Sequence, residues 1–192
     1  MDADPTELHG IVNSGLPCRC KCALINLRSL VNKMCELKVF IEDKDICPDI
    51  IAITETWFDT DIPSSMFIDL NMFWCFRKDR STRGGGVCLL VKRSLNCVVT
   101  EVNIPQAFSA LELLAVDIST NSDVLPLRMI VAYRPPDYDS DRNELMVSAL
   151  DWLSAASARV CVLGDLNLPA FNWDQFIYPS SKLVQLVCRF DL

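Results

Sequence analysis

The sequence of 192 residues has one histidine, no Cys-x-x-Cys pair, and no apolar run approaching the ~18 residues that a membrane-spanning helix needs. Its acidic N-terminus does not show the basic-then-apolar order of a secretory signal peptide. Internal repeats and low-complexity tracts are also missing. These absences predict an intracellular protein, nuclear or cytoplasmic and not secreted, with no membrane partner.

The ten cysteines allow two interpretations. Most lie inside apolar runs, where free cysteine behaves as a small core hydrophobe, so we expect reduced, buried thiols. Cys18, Cys20 and Cys22 alternate near the start of the chain and could form a metal or redox cluster. Zinc sites usually have two intervening residues and distant partners, so the alternation favours one face of a strand instead.

Composition predicts a single globular domain, because 51% of the residues are hydrophobic and 22% are charged. We expect a poorly ordered leader over residues 1–20 and a domain over residues 21–192. The net charge of −7 argues weakly against a nucleic-acid partner. Residues 77–93, however, hold six basic side chains against one acid. This basic segment could contact phosphates, or it could be a solvated hairpin with charged ends.

Hydrophobic periodicity predicts an α/β fold. A strand over 21–26, a helix from an N-cap at Ser29 to about Asp45, and a strand ending at Thr54 form a β-α-β unit with parallel strands. Five strands between residues 73 and 133 suggest an antiparallel meander. A helix over 141–157 leads to a strand ending at Asp165, followed by a turn-rich loop and an amphipathic segment. We therefore expect packed sheets with helices outside.

Four of the predicted strands end in side chains that could do chemistry. Asn26, Glu55 and Tyr133 each close a strand, and Asp165 closes a fourth with Asn167 two residues later. Each position alone has an ordinary explanation, such as a solvated carboxylate, an Asx turn or a tyrosine beside a proline turn. Ligands of open α/β sheets bind at strand ends, so two acids there indicate a metal-assisted site.

The residues around these positions carry a resemblance to a known family. The set resembles the endonuclease/exonuclease/phosphatase superfamily, and more narrowly the endonuclease domain of LINE-type, non-long-terminal-repeat retrotransposons. The similarity runs in order from about residue 21 to residue 173. Its five blocks are Asn26-Leu27-Arg28-Ser29-Leu30 with Asn32-Lys33 and Glu36-Leu37, Ile53-Thr54-Glu55-Thr56-Trp57, Phe76-Arg77-Lys78-Asp79-Arg80 with Arg83-Gly84-Gly85-Gly86-Val87, Tyr133-Arg134-Pro135-Pro136, and Leu163-Gly164-Asp165-Leu166-Asn167-Leu168-Pro169 with Trp173.

The resemblance implies a four-layer sandwich of two packed β-sheets flanked by helices, as in deoxyribonuclease I. It implies Mg²⁺ or Mn²⁺ held by Glu55 and Asn26, and a DNA substrate cleaved by phosphodiester hydrolysis. Asp165 would orient or deprotonate the attacking water, Asn167 would assist it, and Tyr133 would lie near the scissile phosphate. The DNA contacts that it implies are Arg77, Lys78, Arg80 and Arg83.

The sequence also departs from this family. The family site is completed by a C-terminal Ser-Asp-His motif, whereas the histidine of this sequence is His9. We therefore expect a partial domain missing its last strands, a lack of activity, and self-association through an unpaired sheet edge. Two alternatives stay open. One is a non-catalytic remnant that binds DNA or protein, and the other is a small-molecule phosphoesterase of the same superfamily.

Overall fold

The computed structural model describes residues 20–43, 48–80, 82–120, 125–155 and 159–168. Most of the expected leader and the amphipathic segment near the C-terminus lie outside the described residues. Within the described part, no helix is both long and apolar enough to cross a membrane.

The first sheet contains four strands in the order β1-β2-β4-β3. They are β1 (Cys22–Asn26), β2 (Ile50–Thr54), β3 (Phe73–Lys78) and β4 (Val87–Lys92). Helix α1 (Met34–Glu42) connects β1 to β2, which pair in parallel. The predicted β-α-β unit is therefore confirmed. β4 pairs with β2 and β3 in antiparallel fashion.

The second sheet has the order β5-β6-β7-β8. Its strands are β5 (Val98–Glu101), β6 (Glu112–Ser119), β7 (Leu127–Tyr133) and β8 (Arg159–Asp165), with helix α2 (Ser140–Ala155) between β7 and β8. β7 and β8 are parallel, as a helical crossover requires. The predicted five-strand meander is thus divided between the sheets, because the chain leaves the first sheet after β4 through a 3₁₀ turn ending at Asn96 in the left-handed conformation.

The two sheets pack face to face with one helix outside each, so the expected four-layer sandwich is confirmed. Alternate residues of the central strands fill the core between the sheets. The other face of the first sheet packs against α1, and that of the second against α2. Because both faces of these strands are covered, they are continuously apolar rather than alternating.

The start of the first helical segment differs from the prediction. A 3₁₀ turn (Leu30–Lys33) precedes α1, and Ser29 makes no capping hydrogen bond. Ser29 instead has a φ of 94°, and its backbone N–H donates to Glu55 O at 2.9 Å. The chain after β1 is therefore held by a hydrogen bond to the turn after β2. Local helix propensity does not predict such a contact, because the two residues are distant in sequence.

The described cysteines are free thiols. Cys88 is buried, whereas Cys22 and Cys35 are exposed and the others are half-buried. The expectation of general burial is wrong for the described cysteines, because Cys22 lies on the edge strand β1 and Cys35 lies on an exposed part of helix α1.

Candidate active site

Four strand ends meet at one edge of the sandwich. β1 and β2 run in parallel within the first sheet, and β7 and β8 run in parallel within the second, so each pair delivers its C-terminal residues side by side. Asn26 lies opposite Thr54, and Tyr133 lies opposite Asp165. The predicted site residues are therefore brought together by the packing of the two sheets.

The amide of Asn26 bridges the two carboxylates. Its Nδ2 donates to Glu55 Oε1 at 2.9 Å and to Asp165 Oδ2 at 2.8 Å. Its Oδ1 accepts from the backbone N–H of Arg28 at 3.2 Å, which fixes the direction of the amide. One side chain at the end of β1 thus links a carboxylate of the first sheet to a carboxylate of the second.

The turn that carries Glu55 is held by a glycine-rich segment. Glu55 and Trp57 have φ values of 54° and 56°, a conformation that non-glycine residues adopt at a cost. The backbone N–H groups of Thr56 and Trp57 donate to the carbonyls of Gly86 and Gly85 at 3.3 and 2.9 Å. The indole Nε1 of Trp57 also donates to Glu55 Oε2 at 3.4 Å. Both carboxylate oxygens of Glu55 are therefore oriented by hydrogen-bond donors.

Tyr133 supplies a phenol at the floor of the site. Tyr133 is 7% exposed, and its hydroxyl lies near the Glu55 carboxylate. Burial, followed by the nearby negative charge of Glu55, raises the pKa of Tyr133 to about 12. The phenol is consequently neutral at physiological pH and acts as a hydrogen-bond donor rather than as a base.

Asp165 and Asn167 are held by an arginine that sequence reasoning did not select. The backbone N–H of Asn167 donates to Asp165 Oδ1 at 3.1 Å, and its side-chain Nδ2 donates to Arg134 O at 2.8 Å. The buried guanidinium of Arg134 donates to Asn167 O at 3.0 Å and to Asn143 Oδ1 at 2.7 Å. Asn167 thus orients Asp165 through its backbone. Arg134 follows Tyr133 directly, so the Tyr-Arg-Pro-Pro block contained the clue.

Glu112 is a second residue that sequence reasoning missed. It begins β6 opposite Tyr133, is 7% exposed, and accepts a short hydrogen bond from the backbone N–H of Gly86. Its other oxygen accepts from Arg80 Nη1 at 3.3 Å. Burial raises the pKa of Glu112, while the Gly86 N–H and Arg80 oppose that rise. The available clue was an acid inside the apolar run Leu111-Glu112-Leu113-Leu114.

The four basic residues implied as DNA contacts differ in their surroundings. Arg77 points inward, where its guanidinium pairs with Asp79 at 2.6 Å and lies 4.5 Å from the Phe58 ring centroid. Arg80 is paired with Glu112, and Lys78 is half-buried at the end of β3. Arg83 is exposed, and its guanidinium lies 5.7 Å from the Trp57 ring centroid at the rim of the site.

The donor set suits a hard divalent cation. In the described ranges, no three His, Cys, Asp or Glu side chains are grouped closely enough to hold a metal by themselves. Mg²⁺ nevertheless needs only one or two carboxylates, since waters and substrate phosphates complete its coordination. Glu55 and Asp165 both lie within hydrogen-bond distance of one amide nitrogen, so they can face one ion. Asn26 would join as a ligand only after its amide rotated to present Oδ1.

Comparisons with solved structures agree with this architecture. The AP endonuclease LMAP from Leishmania major has a TM-score of 0.60 at 17% identity, over 77% of this chain and 55% of that chain. The 3' phosphatase NExo from Neisseria, bound to a product DNA hairpin, has a TM-score of 0.56 at 15% identity, over 78% and 58%. The endonuclease domain of TRAS1, a telomere-specific non-LTR retrotransposon, has a TM-score of 0.52 at 16% identity, over 75% and 57%.

These TM-scores show a shared fold, and the chain spans 55–58% of the length of these three structures. No curated protein matches the sequence significantly. A family model described as Endonuclease/Exonuclease/phosphatase family matches residues 12–183, which is most of the sequence. The four-layer architecture and this match lead to one conclusion: the chain belongs to the Endonuclease/Exonuclease/phosphatase family.

Proposed function

We propose that this chain carries the carboxylate half of a divalent-metal-dependent site for phosphodiester hydrolysis, with DNA as the substrate. The observation that carries the proposal is the Asn26 amide between Glu55 and Asp165, with hydrogen bonds of 2.9 and 2.8 Å that join the two sheets. Two acids held on one donor form a compact negative site, and such a site favours Mg²⁺ or Mn²⁺.

The contacts support the role that the resemblance implies for each residue. Glu55 would hold the cation, and Asn26 keeps the Glu55 and Asp165 carboxylates together. Asp165, oriented by the Asn167 backbone, positions the attacking water and accepts its proton. The neutral phenol of Tyr133 donates to a phosphate oxygen. A bound Mg²⁺ or Mn²⁺ would supply the neutralisation of negative charge growing on the phosphate.

We propose further that these 192 residues by themselves do not cleave DNA at an appreciable rate. In the family that the sequence resembles, an Asp-His pair acts on the scissile phosphate, and the histidine of this sequence is His9. Loss of a general acid or base typically slows a reaction by about 10²–10⁴-fold. The ordered sequence blocks also support an origin in a LINE-type retrotransposon endonuclease.

The DNA path that we propose crosses the rim formed by Trp57 and Arg83. Arg83 is exposed and able to approach a phosphate, and Trp57 offers a flat apolar surface beside the Glu55 turn. Arg80 and Lys78 extend the positive charge away from the site. Arg77 is committed to Asp79 and Phe58, so its contribution is to hold this region together.

A metal-binding and cleavage assay tests the proposal. Mn²⁺ binding to the 192-residue chain is counted by electron paramagnetic resonance, and nicking of supercoiled DNA is followed with Mg²⁺. We expect one Mn²⁺ site that Glu55→Ala abolishes, and no appreciable nicking of DNA by the unsubstituted chain. The matched control is Glu101→Ala, since Glu101 is an exposed glutamate of β5 distant from the four strand ends.

Three outcomes would change the conclusion. Mn²⁺ binding that is unchanged in Glu55→Ala would contradict the proposed metal site at Glu55. Robust nicking that Glu55→Ala abolishes would support the site and overturn the proposed inactivity. Hydrolysis of soluble phosphoesters without DNA cleavage would make a small-molecule phosphoesterase the better function.

A second candidate function is DNA binding without catalysis. The exposed Arg83 stacked over Trp57 favours it, because this rim would contact DNA whether or not the metal site turns over. Salt-dependent DNA binding that is unchanged by Glu55→Ala and Asp165→Ala, with no cleavage, would make this function the better one.

A further inference from the structure

The turn that carries Glu55 depends on a carboxylate of the other sheet. Glu112 belongs to β6 of the second sheet, whereas Gly86 precedes β4 of the first. The side chain of Glu112 reaches between the sheets and accepts the hydrogen bond of the Gly86 backbone N–H. A buried carboxylate is costly to desolvate, so its presence here calls for a specific partner, and Gly86 is that partner.

The hydrogen bonds continue from Gly86 to the Glu55 turn. The carbonyls of Gly85 and Gly86 accept from the N–H groups of Trp57 and Thr56 at 2.9 and 3.3 Å. Glu55 therefore lies one residue before two backbone contacts with the glycine segment that Glu112 holds. Removing the Glu112 acceptor would leave a buried N–H unpaired and loosen both contacts.

The close approach of Gly85 to Glu112 supports the same connection. Gly85 has a φ of +69°, and a Cβ at this position would overlap the Glu112 carboxylate. The backbone comes so near that only glycine leaves room for the acid. Tyr133, directly opposite Glu112 across β6 and β7, contacts the Glu55 carboxylate itself. Neighbouring residues of the second sheet thus hold the turn at its backbone and at its side chain.

We propose that Glu112 is a positioning residue that fixes the Glu55 carboxylate in its metal-binding orientation, acting through the Gly85–Gly86 backbone. The inference rests on the proposed metal site at Glu55. Changes in residues that orient a metal ligand typically reduce metal affinity about 10–100-fold. Glu112 does not touch the ion and acts through the turn alone.

Mn²⁺ affinity, measured by electron paramagnetic resonance on the 192-residue chain, tests the role of Glu112. Glu112→Met keeps the approximate volume but removes the acceptor, and we expect affinity to fall about 10-fold. Glu112→Gln keeps an amide oxygen that can accept from Gly86, and we expect affinity within about 3-fold of the unsubstituted chain. Rescue by glutamine is the result that a requirement for general stability or for negative charge would not produce.

A matched control is available on the same strand. Asp117→Ala breaks a carboxylate–arginine pair at the other end of β6, where Asp117 Oδ1 accepts from Arg128 Nε at 2.7 Å. We expect it to lower thermal stability and leave Mn²⁺ affinity unchanged. Equal losses of affinity in Glu112→Met and Asp117→Ala would overturn the positioning role.

The failure of this inference is distinguishable from failure of the proposed function. If the unsubstituted chain shows no Mn²⁺ binding that depends on Glu55, both the proposed metal site and the positioning role of Glu112 are wrong. If Glu112→Met binds Mn²⁺ with unchanged, Glu55-dependent affinity, only the positioning role of Glu112 is wrong. If Glu112→Met does not fold, hydrogen exchange of the Gly86 amide in the unsubstituted chain decides. Mg²⁺ should slow that exchange several-fold through reciprocal coupling, and an unchanged rate would overturn the inference.

Discussion

The turns after β2 and β8 both present a carboxylate to the same site, but they are supported in different ways. The Glu55 turn is held by backbone groups of the glycine segment 84–86, which belongs to the same sheet. The Asp165 turn is held by the buried guanidinium of Arg134 and by the side-chain amide of Asn167, which donates to Arg134 O. One turn therefore depends on where a backbone can approach, and the other depends on particular side chains.

This difference predicts different sensitivities to substitution. A backbone support fails when a side chain is added to it, because the added atoms prevent the approach. A side-chain support fails when donors are removed, because the carbonyls that it held lose their partners. The substitutions below test this contrast, and the largest expected effect comes first.

Adding a methyl group at Gly85 should cause the largest loss of stability. Gly85→Ala combines a positive φ with overlap against the buried Glu112 carboxylate, so we expect the free energy of unfolding to fall by about 3 kcal/mol. Gly84→Ala is the matched control, since Gly84 has a φ of +90° but a Cβ there would lie 4.0 Å from Trp57 Nε1. We expect it to cost only about 1 kcal/mol. Urea denaturation measures both, and equal losses would show that the contact with Glu112 does not matter.

Removing the guanidinium of Arg134 should weaken the other turn. Arg134→Met leaves the carbonyls of Leu166 and Asn167 and the side chain of Asn143 without their donor. We expect a loss of about 2 kcal/mol in the free energy of unfolding. Arg142→Met, on the exposed face of α2, should cost at most about 0.5 kcal/mol. A neutral result for Arg134→Met in thermal denaturation would contradict the side-chain support.

Removing a positive charge at the glycine-rich side of the site should weaken the salt dependence of DNA binding. Arg83→Ala removes an exposed guanidinium at the rim, and we expect the salt dependence of DNA binding to lose about one unit of its log–log slope. Arg80→Ala should change the slope by less than half of that, because Arg80 is paired with Glu112. Fluorescence anisotropy with duplex DNA at several salt concentrations distinguishes the two, and a larger effect of Arg80→Ala would reverse the assignment.

The smallest effect concerns the phenol between the two turns. The pKa of Tyr133 is raised from 10.0 to about 12, so the stability that its neutral form contributes is complete below pH 10 and is lost as the pH rises through about 12. Absorbance titration of the three tyrosines should show ionisation near pH 12 in the unsubstituted chain, and Tyr133→Phe should lower the ionisation there by one group. Ionisation of every tyrosine near pH 10 would contradict burial of Tyr133 against Glu55.

The sequence identified the strand ends that carry chemistry because each follows a short apolar run. β2, β4 and β7 are buried on both faces, and their uniform hydrophobicity marked their positions. The first helical segment begins after Ser29 as a 3₁₀ turn rather than as an α-helix, and Ser29 does not cap its backbone, because the Ser29 N–H is bonded to the distant Glu55 carbonyl. The predicted meander failed in a similar way, because local turn residues do not indicate which sheet the next strand joins.

Arg134 and Glu112 are site residues that the sequence did not predict. Both are charged residues whose meaning depends on a buried partner that is distant in sequence, at Asn167 and Gly86 respectively. A charge next to an apolar run usually indicates solvent exposure, so neither stood out as a support of the site. The pairing of β7 with β8 brings Arg134 to Asn167, and the packing of the two sheets brings Glu112 to Gly86.

Sequence patterns were enough to predict the strands, the helices, the family resemblance and the carboxylates at Glu55 and Asp165, because these depend on local periodicity and on side-chain type. The tertiary structure decided that Asn26 bridges the acids, that Arg77 supports the fold while Arg83 is exposed at the rim, and that Glu112 holds the glycine segment. The physical reason is distance along the chain. Hydrogen bonds and ion pairs between residues of separate sheets form only after hydrophobic packing has brought those sheets together.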